Sequence, residues 1–171
     1  MKYTLTALIG GLLLSAGLVF LSIKSTSAHT SDDTVKSLVA AAIAAYEADG
    51  EAAFDEMNDL TSQKWVIDDD TYVFAVDVDK NITVVNAPYK DSLGVDLDDP
   101  ALPLGYRALA TYISTLVLAE PEGTWVHYAH ANPLEDDHHR KRIMVKRSWV
   151  EVHDNIIFGA GRYSRFVKDK D

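Results

Sequence analysis

The 171 residues hold 16 Lys and Arg against 26 Asp and Glu, a formal charge of −10, and 47% of them are apolar. The acidic balance argues against a nucleic-acid partner, because phosphate contacts need clustered Lys and Arg, and the apolar share excludes a disordered chain. No Cys is present, which excludes disulfides, a thiolate nucleophile and Cys-ligated zinc.

Residues 4–23, TLTALIGGLLLSAGLVFLSI, carry no charge, and Lys2 precedes them. Thr26-Ser27-Ala28 then places small groups at the −3 and −1 positions of a cleavage after Ala28. Two readings follow for residues 1–28: a signal peptide, or an uncleaved N-terminal anchor, since about 20 apolar residues cross a bilayer once. Either way residues 29–171 are periplasmic or extracellular, secreted or held by an N-terminal helix. They form one domain with 14 basic and 26 acidic groups, too short to divide in two.

Ser31-Asp32-Asp33 supplies a helix cap and first-turn acids. Val35, Leu38, Val39, Ala42, Ile43 and Tyr46 recur at helical spacing, which predicts a long amphipathic helix. Gly50 breaks it, and Ala53, Phe54 and Met57 continue the stripe towards Trp65 as a shorter helix. Tyr72, Phe74, Val76 and Val78 alternate with Val73, Ala75 and Asp77, a strand pattern. After turn residues Asp79-Lys80-Asn81 a second strand runs from Ile82 to Val85. Residues 87–102, rich in Asp, Gly and Pro, read as a loop. A second amphipathic helix starts at Pro103 and stops at Glu120-Pro121-Glu122-Gly123. Three strands close the chain, over 124–131, about 142–152, and 156–163. The last two are joined by a tight turn at His153-Asp154-Asn155, the first two by a polar loop over 132–141. Hairpins with one helical excursion predict an α+β domain, an antiparallel sheet with helices on its faces.

This order resembles the single Cache domains, extracellular PAS-like sensor domains of bacteria, in particular their second type. The matching pieces are Tyr46-x3-Gly50-x2-Ala53-Phe54; Tyr72-Val73-Phe74-Ala75-Val76-Asp77; Asn86-Ala87-Pro88 leading to Leu93-Gly94; Gly123-Thr124-Trp125-Val126-x-Tyr128 with Pro133; Lys146-Arg147-Ser148-Trp149-Val150; and Gly159-Ala160-Gly161-Arg162-Tyr163. Together they cover about residues 31–164. The resemblance implies a five-stranded PAS-like antiparallel sheet with the long N-terminal helix on one face. On the other face it implies a pocket for a small ligand, often a carboxylate. Family members usually sit between two membrane spans and feed a cytoplasmic output module. The residues after Tyr163 lead one to expect neither a second span nor an output module for this chain, and Trp149 stands where the family usually has Tyr.

A small-molecule pocket needs an apolar lining and a few convergent polar groups. On the strand over 124–131, Val126, Tyr128 and His130 share one face, and Trp125, His127 and Ala129 the other. Met144, Lys146, Ser148 and Val150 share a face of the next strand. If those faces coincide, a phenol, an imidazole, an ammonium and a hydroxyl meet, a set suited to a small organic anion. Arg107, early in the second helix, could clamp a carboxylate from above. The candidate ligand-binding residues are therefore Arg107, Trp125, Tyr128, His130, Lys146, Ser148 and Trp149. Each also has a plainer reading, the cations as solvated side chains and the aromatics as core.

The alternative is a periplasmic divalent-metal-binding protein using His127, Asp136, His138 and His139. Its spacing is poor. His127 and His130 alternate in a strand and point apart, and no HExxH or EF-hand pattern occurs. No GxSxG, phosphate loop or dinucleotide fingerprint occurs either, so neither an enzyme nor a cofactor is expected. The sequence thus predicts a sensory or binding module without its own output domain, taking a small organic anion and working with a membrane signalling or transport protein.

Overall fold

The computed structural model describes residues 30–67, 71–102, 104–131 and 143–163. Helix α1 (Asp32–Asp49) begins where the Ser31 hydroxyl accepts the Thr34 amide at 3.1 Å, satisfying one of the first-turn donors that a helix leaves open. It ends at Gly50, whose φ of +61° suits a residue without Cβ and whose amide returns to Tyr46 O. A single 3-10 turn leads into α2 (Ala53–Met57). Strands β1 (Val66–Ile67), β2 (Thr71–Asp77) and β3 (Ile82–Asn86) follow, then a 3-10 segment over Ala87–Ser92. Helix α3 (Leu104–Ala119) precedes β4 (Thr124–Ala131), β5 (Ile143–His153) and β6 (Ile156–Tyr163).

All strand pairs are antiparallel, in the order β1-β2-β6-β5-β4, with β3 also paired to β2. Since β1 meets Thr71 and Tyr72 while β3 meets Phe74 to Asp77, the two lie along one edge of β2. The sheet is therefore five strands wide, as expected; the short second helix stops at Met57, and β1, just beyond Trp65, is a two-residue strand that no sequence pattern signalled. The domain is α+β with a PAS-like sheet.

Alternation along the strands divides the core. On one face Val35, Leu38, Val39 and Ala42 of α1 pack with Phe54, Met57, Trp65, Val73, Ala75, Phe158 and Ala160. Tyr46 stacks on Phe54 at 5.4 Å. On the other face Val117, from α3, joins Val126, Val150 and Ile157. The β5–β6 turn is tight, with Asp154 and Asn155 both at positive φ, which short Asp and Asn side chains tolerate.

The head of α1 is tied to the sheet by charge. Arg147 and Arg162 both donate to Asp32 Oδ1, the latter at 2.7 Å, and Arg162 also donates to Thr30 O. Hydrogen bonding from Arg147, reinforced by the charge of both arginines, holds the Asp32 carboxyl below the usual carboxylate range. None of the described helices is long and apolar enough to cross a membrane; residues 1–28, read as signal or anchor, lie outside the described residues.

Candidate ligand-binding site

Between α3 and the second face of the sheet lies a cavity of about 100 Å³. Tyr72, Phe74 and Val76 of β2, Ile157 of β6 and Leu109, Ala110 and Ile113 of α3 give it an apolar wall. Tyr128, His130, Lys146, Thr83, Asn86 and Ser114 supply polar groups.

Strand register brings these groups together. Tyr128 pairs with Lys146 and Val126 with Ser148 across β4–β5, and Lys146 pairs with Tyr163 across β5–β6. Lys146 is 1% exposed. Its ammonium lies 3.5 Å from the Tyr72 ring centre and 5.3 Å from those of Phe74 and Tyr163, so ring faces carry part of the cost of holding a cation away from water.

Around it runs a hydroxyl network. Tyr128 Oη and Ser148 Oγ share a 3.1 Å hydrogen bond. Tyr163 donates to Ala131 O at 2.9 Å and lies 3.2 Å from Tyr72 Oη. Tyr89, from the 3-10 segment, donates to the same carbonyl at 2.6 Å. His130 Nδ1 is 2.8 Å from Ala131 O and 3.0 Å from Tyr163 Oη. A carbonyl only accepts, so that contact assigns the His130 proton to Nδ1. Burial, helped by the Lys146 charge, lowers the His130 pKa to about 4, and at neutral pH the ring is uncharged. Burial also pushes the Tyr72 and Tyr128 phenols up, and both remain neutral donors.

Two glycines shape this face. A Cβ on Gly159 would stand 2.2 Å from the Phe74 ring, and one on Gly161 would stand 2.1 Å from Ser148 Oγ. Close approach, and no phosphate loop, accounts for that Gly-Ala-Gly run.

Of the residues singled out from sequence, Tyr128, His130 and Lys146 line the cavity, and Ser148 supports Tyr128. Trp125 and Trp149 are placed elsewhere. Alternation turns them to the α1 face, edge to face at 5.4 Å, with Lys36 over Trp149 and Arg147 over Trp125. Arg107 is not among the described residues lining the cavity, and its buried Nε has no partner. For the metal alternative, His127 is exposed on β4, and Asp136, His138 and His139 lie outside the described residues. Among the described residues no three His, Asp or Glu side chains gather as a cation site.

Sequence reasoning missed Tyr72, Phe74, Thr83, Asn86, Leu109, Ile113 and Tyr163. The alternation of Tyr72 and Phe74 was visible, but not that their face is the one Lys146 shares. Thr83 and Asn86 reach the cavity through a bulge: Ala75 pairs with Val85 but Val76 with Thr83, so Val84 is the extra residue. The bulge breaks strict alternation and re-aims side chains.

An antiparallel sheet with a long helix on one face and a small, cation-bearing cavity on the other defines the class as a PAS-like α+β fold. In particular, the fold is that of Cache chemosensory domains, as comparison with solved structures shows. A Cache chemosensory domain whose structure gives the basis for carboxylic acid recognition superposes with a TM-score of 0.56 at 20% identity, over 78% of this chain and 92% of that one. A periplasmic sensor domain of a chemotaxis protein gives 0.55 at 22% identity, over 78% and 94%. A methyl-accepting chemotaxis protein from Vibrio parahaemolyticus gives 0.55 at 16%, over 77% and 86%. No family model and no curated protein matches the sequence.

Proposed function

We propose that the chain is an extracytoplasmic sensory domain of the single Cache type that binds a small organic anion, a short carboxylate, and carries out no catalysis of its own. The observation that carries this reading is the buried Lys146 ammonium lining a mostly apolar cavity beside Tyr128 and His130. A carboxylate there gains a charge-assisted hydrogen bond in a low-dielectric site while its short alkyl part meets Phe74, Leu109 and Ile113. The solved chemosensory domain that recognises carboxylic acids has the same fold, which supports the ligand class. The uncharged run over 4–23, as signal or anchor, supports a location outside the cytoplasm. A membrane signalling or transport protein is the partner that fits, reading how α1 sits on the sheet.

Calorimetric titration with acetate, propionate, pyruvate and lactate tests the proposal. At least one acid is expected to bind saturably, and Lys146→Ala to weaken it by roughly 10- to 100-fold, the worth of a hydrogen bond to a charged group. Full affinity in the variant, or no binding by the wild type, overturns it.

A further inference from the structure

At the far side of Phe74 from Lys146 stands Asn86, the β3 residue that pairs with Phe74. Its amide is oriented by neighbours. The Ser92 hydroxyl donates to Tyr89 O at 2.7 Å and so can only accept from Asn86 Nδ2, at 3.1 Å. The Asn86 backbone amide is taken by Asn58 Oδ1 at 2.8 Å, and Asn58 in turn donates to Val84 O. With Nδ2 committed to Ser92, Oδ1 cannot be exchanged with it by a flip. That oxygen is buried and accepts no hydrogen bond, and the residue lines the cavity. A buried acceptor without a donor is costly.

We infer that Asn86 is a specificity-determining residue whose Oδ1 accepts a hydrogen bond from a hydroxyl of the ligand, making the preferred ligand a short hydroxy-monocarboxylate and not a plain alkyl acid. This rests on the carboxylate reading of Lys146. The two groups line one cavity of about 100 Å³, so a small acid held there by Lys146 is within the same hollow as Asn86. An ammonium in place of the hydroxyl fits less well: it brings three donors and a charge, and the described lining residues include no Asp or Glu to receive them. One cation also suits one carboxylate, so a dicarboxylate would bury an unmatched charge.

The test is calorimetry on the full chain with matched pairs, glycolate against acetate and lactate against propionate, with glycine as the amino counterpart of glycolate. The hydroxy acid of each pair is expected to bind about tenfold tighter than its plain partner, and glycine weaker than glycolate. Asn86→Ala should bring that ratio to about one. Asn86→Asp keeps an acceptor and should keep the ratio while weakening both acids through charge repulsion. Because the readout is a ratio, a general loss of packing, which lowers both affinities together, does not imitate it, and melting curves without ligand establish that each variant is folded. Equal binding of the paired acids by the wild type, or an unchanged ratio in Asn86→Ala, overturns the inference and leaves the carboxylate reading standing. If no acid binds the wild type, the carboxylate reading falls and this inference with it.

Discussion

Lys146 and Arg147 are neighbours on β5 with opposite allegiances: the first lines the cavity, the second binds Asp32 at the head of α1. On β6 their pairing partners repeat the division, Tyr163 opposite Lys146 and Arg162 opposite Arg147. Tyr163 belongs to the hydroxyl network around His130, and Arg162 shares Asp32. The same two rungs of the ladder thus carry the cavity's polar wall on one side and the helix anchor on the other.

Asp32→Asn should loosen that anchor. Both ion pairs are partly exposed, so the expected loss is at most about 1 kcal/mol. The sign with pH is fixed by the depressed Asp32 pKa. The stabilisation is present above the unfolded carboxyl pKa near 3.9 and disappears as pH falls through the lower folded value. Wild type and variant should therefore differ in melting temperature at pH 6 and converge in acid below the usual carboxylate range. A difference that persists in strong acid would mean that the pairs are not its source.

Gly161→Ala tests the close approach of β6 to β5. The added methyl would lie 2.1 Å from Ser148 Oγ and 2.6 Å from Arg147 O. A strand backbone, unlike a long side chain, cannot swing aside, and overpacking of this kind costs about 1–3 kcal/mol. Chemical denaturation should register that loss together with weaker anion binding, because Ser148 holds Tyr128. Unchanged stability would show that the strands can part without penalty.

Tyr128→Phe removes a phenol whose oxygen meets Ser148 at 3.1 Å. The fully buried Ser148 then loses that partner, a cost of roughly 1 kcal/mol. Acid binding should weaken as well if Tyr128 faces the ligand. A variant with reduced stability and wild-type affinity would assign Tyr128 a structural role alone.

Much of this was legible because it depends on local rules. The cap at Ser31, the stripe from Val35 to Tyr46 and the break at Gly50 follow from helix periodicity, and alternation put Tyr128 with His130 and Lys146 with Ser148. Across-sheet register made those two pairs neighbours, and that depends on loop lengths no local pattern reports. The same alternation, followed through, separates Trp125 and Trp149 from Lys146, and grouping them as one site set it aside. Asn86 was hidden for a different reason: the bulge at Val84 arises from how β3 accommodates β2, a tertiary matter.

His130 gives the sharpest dependence on pH. Burial and the Lys146 charge bring its folded pKa to about 4, against about 6.5 in an unfolded chain. Between those values the unfolded state holds the extra proton, so stability falls as pH drops through the window, by up to roughly 1.4 kcal/mol per pH unit. His130→Asn keeps a donor for Ala131 O, where Nδ1 now sits at 2.8 Å, and cannot titrate; its melting temperature should decline less between pH 6.5 and 4. Ligand binding carries the opposite sign. A carboxylate beside the ring favours the imidazolium and raises its pKa, so binding should take up a proton, and affinity should rise from pH 7 to pH 5. Titration in buffers of different ionisation enthalpy measures that proton directly. Uptake in the wild type and none in His130→Asn is the expected pair of results. Equal uptake in both would place the titrating group elsewhere.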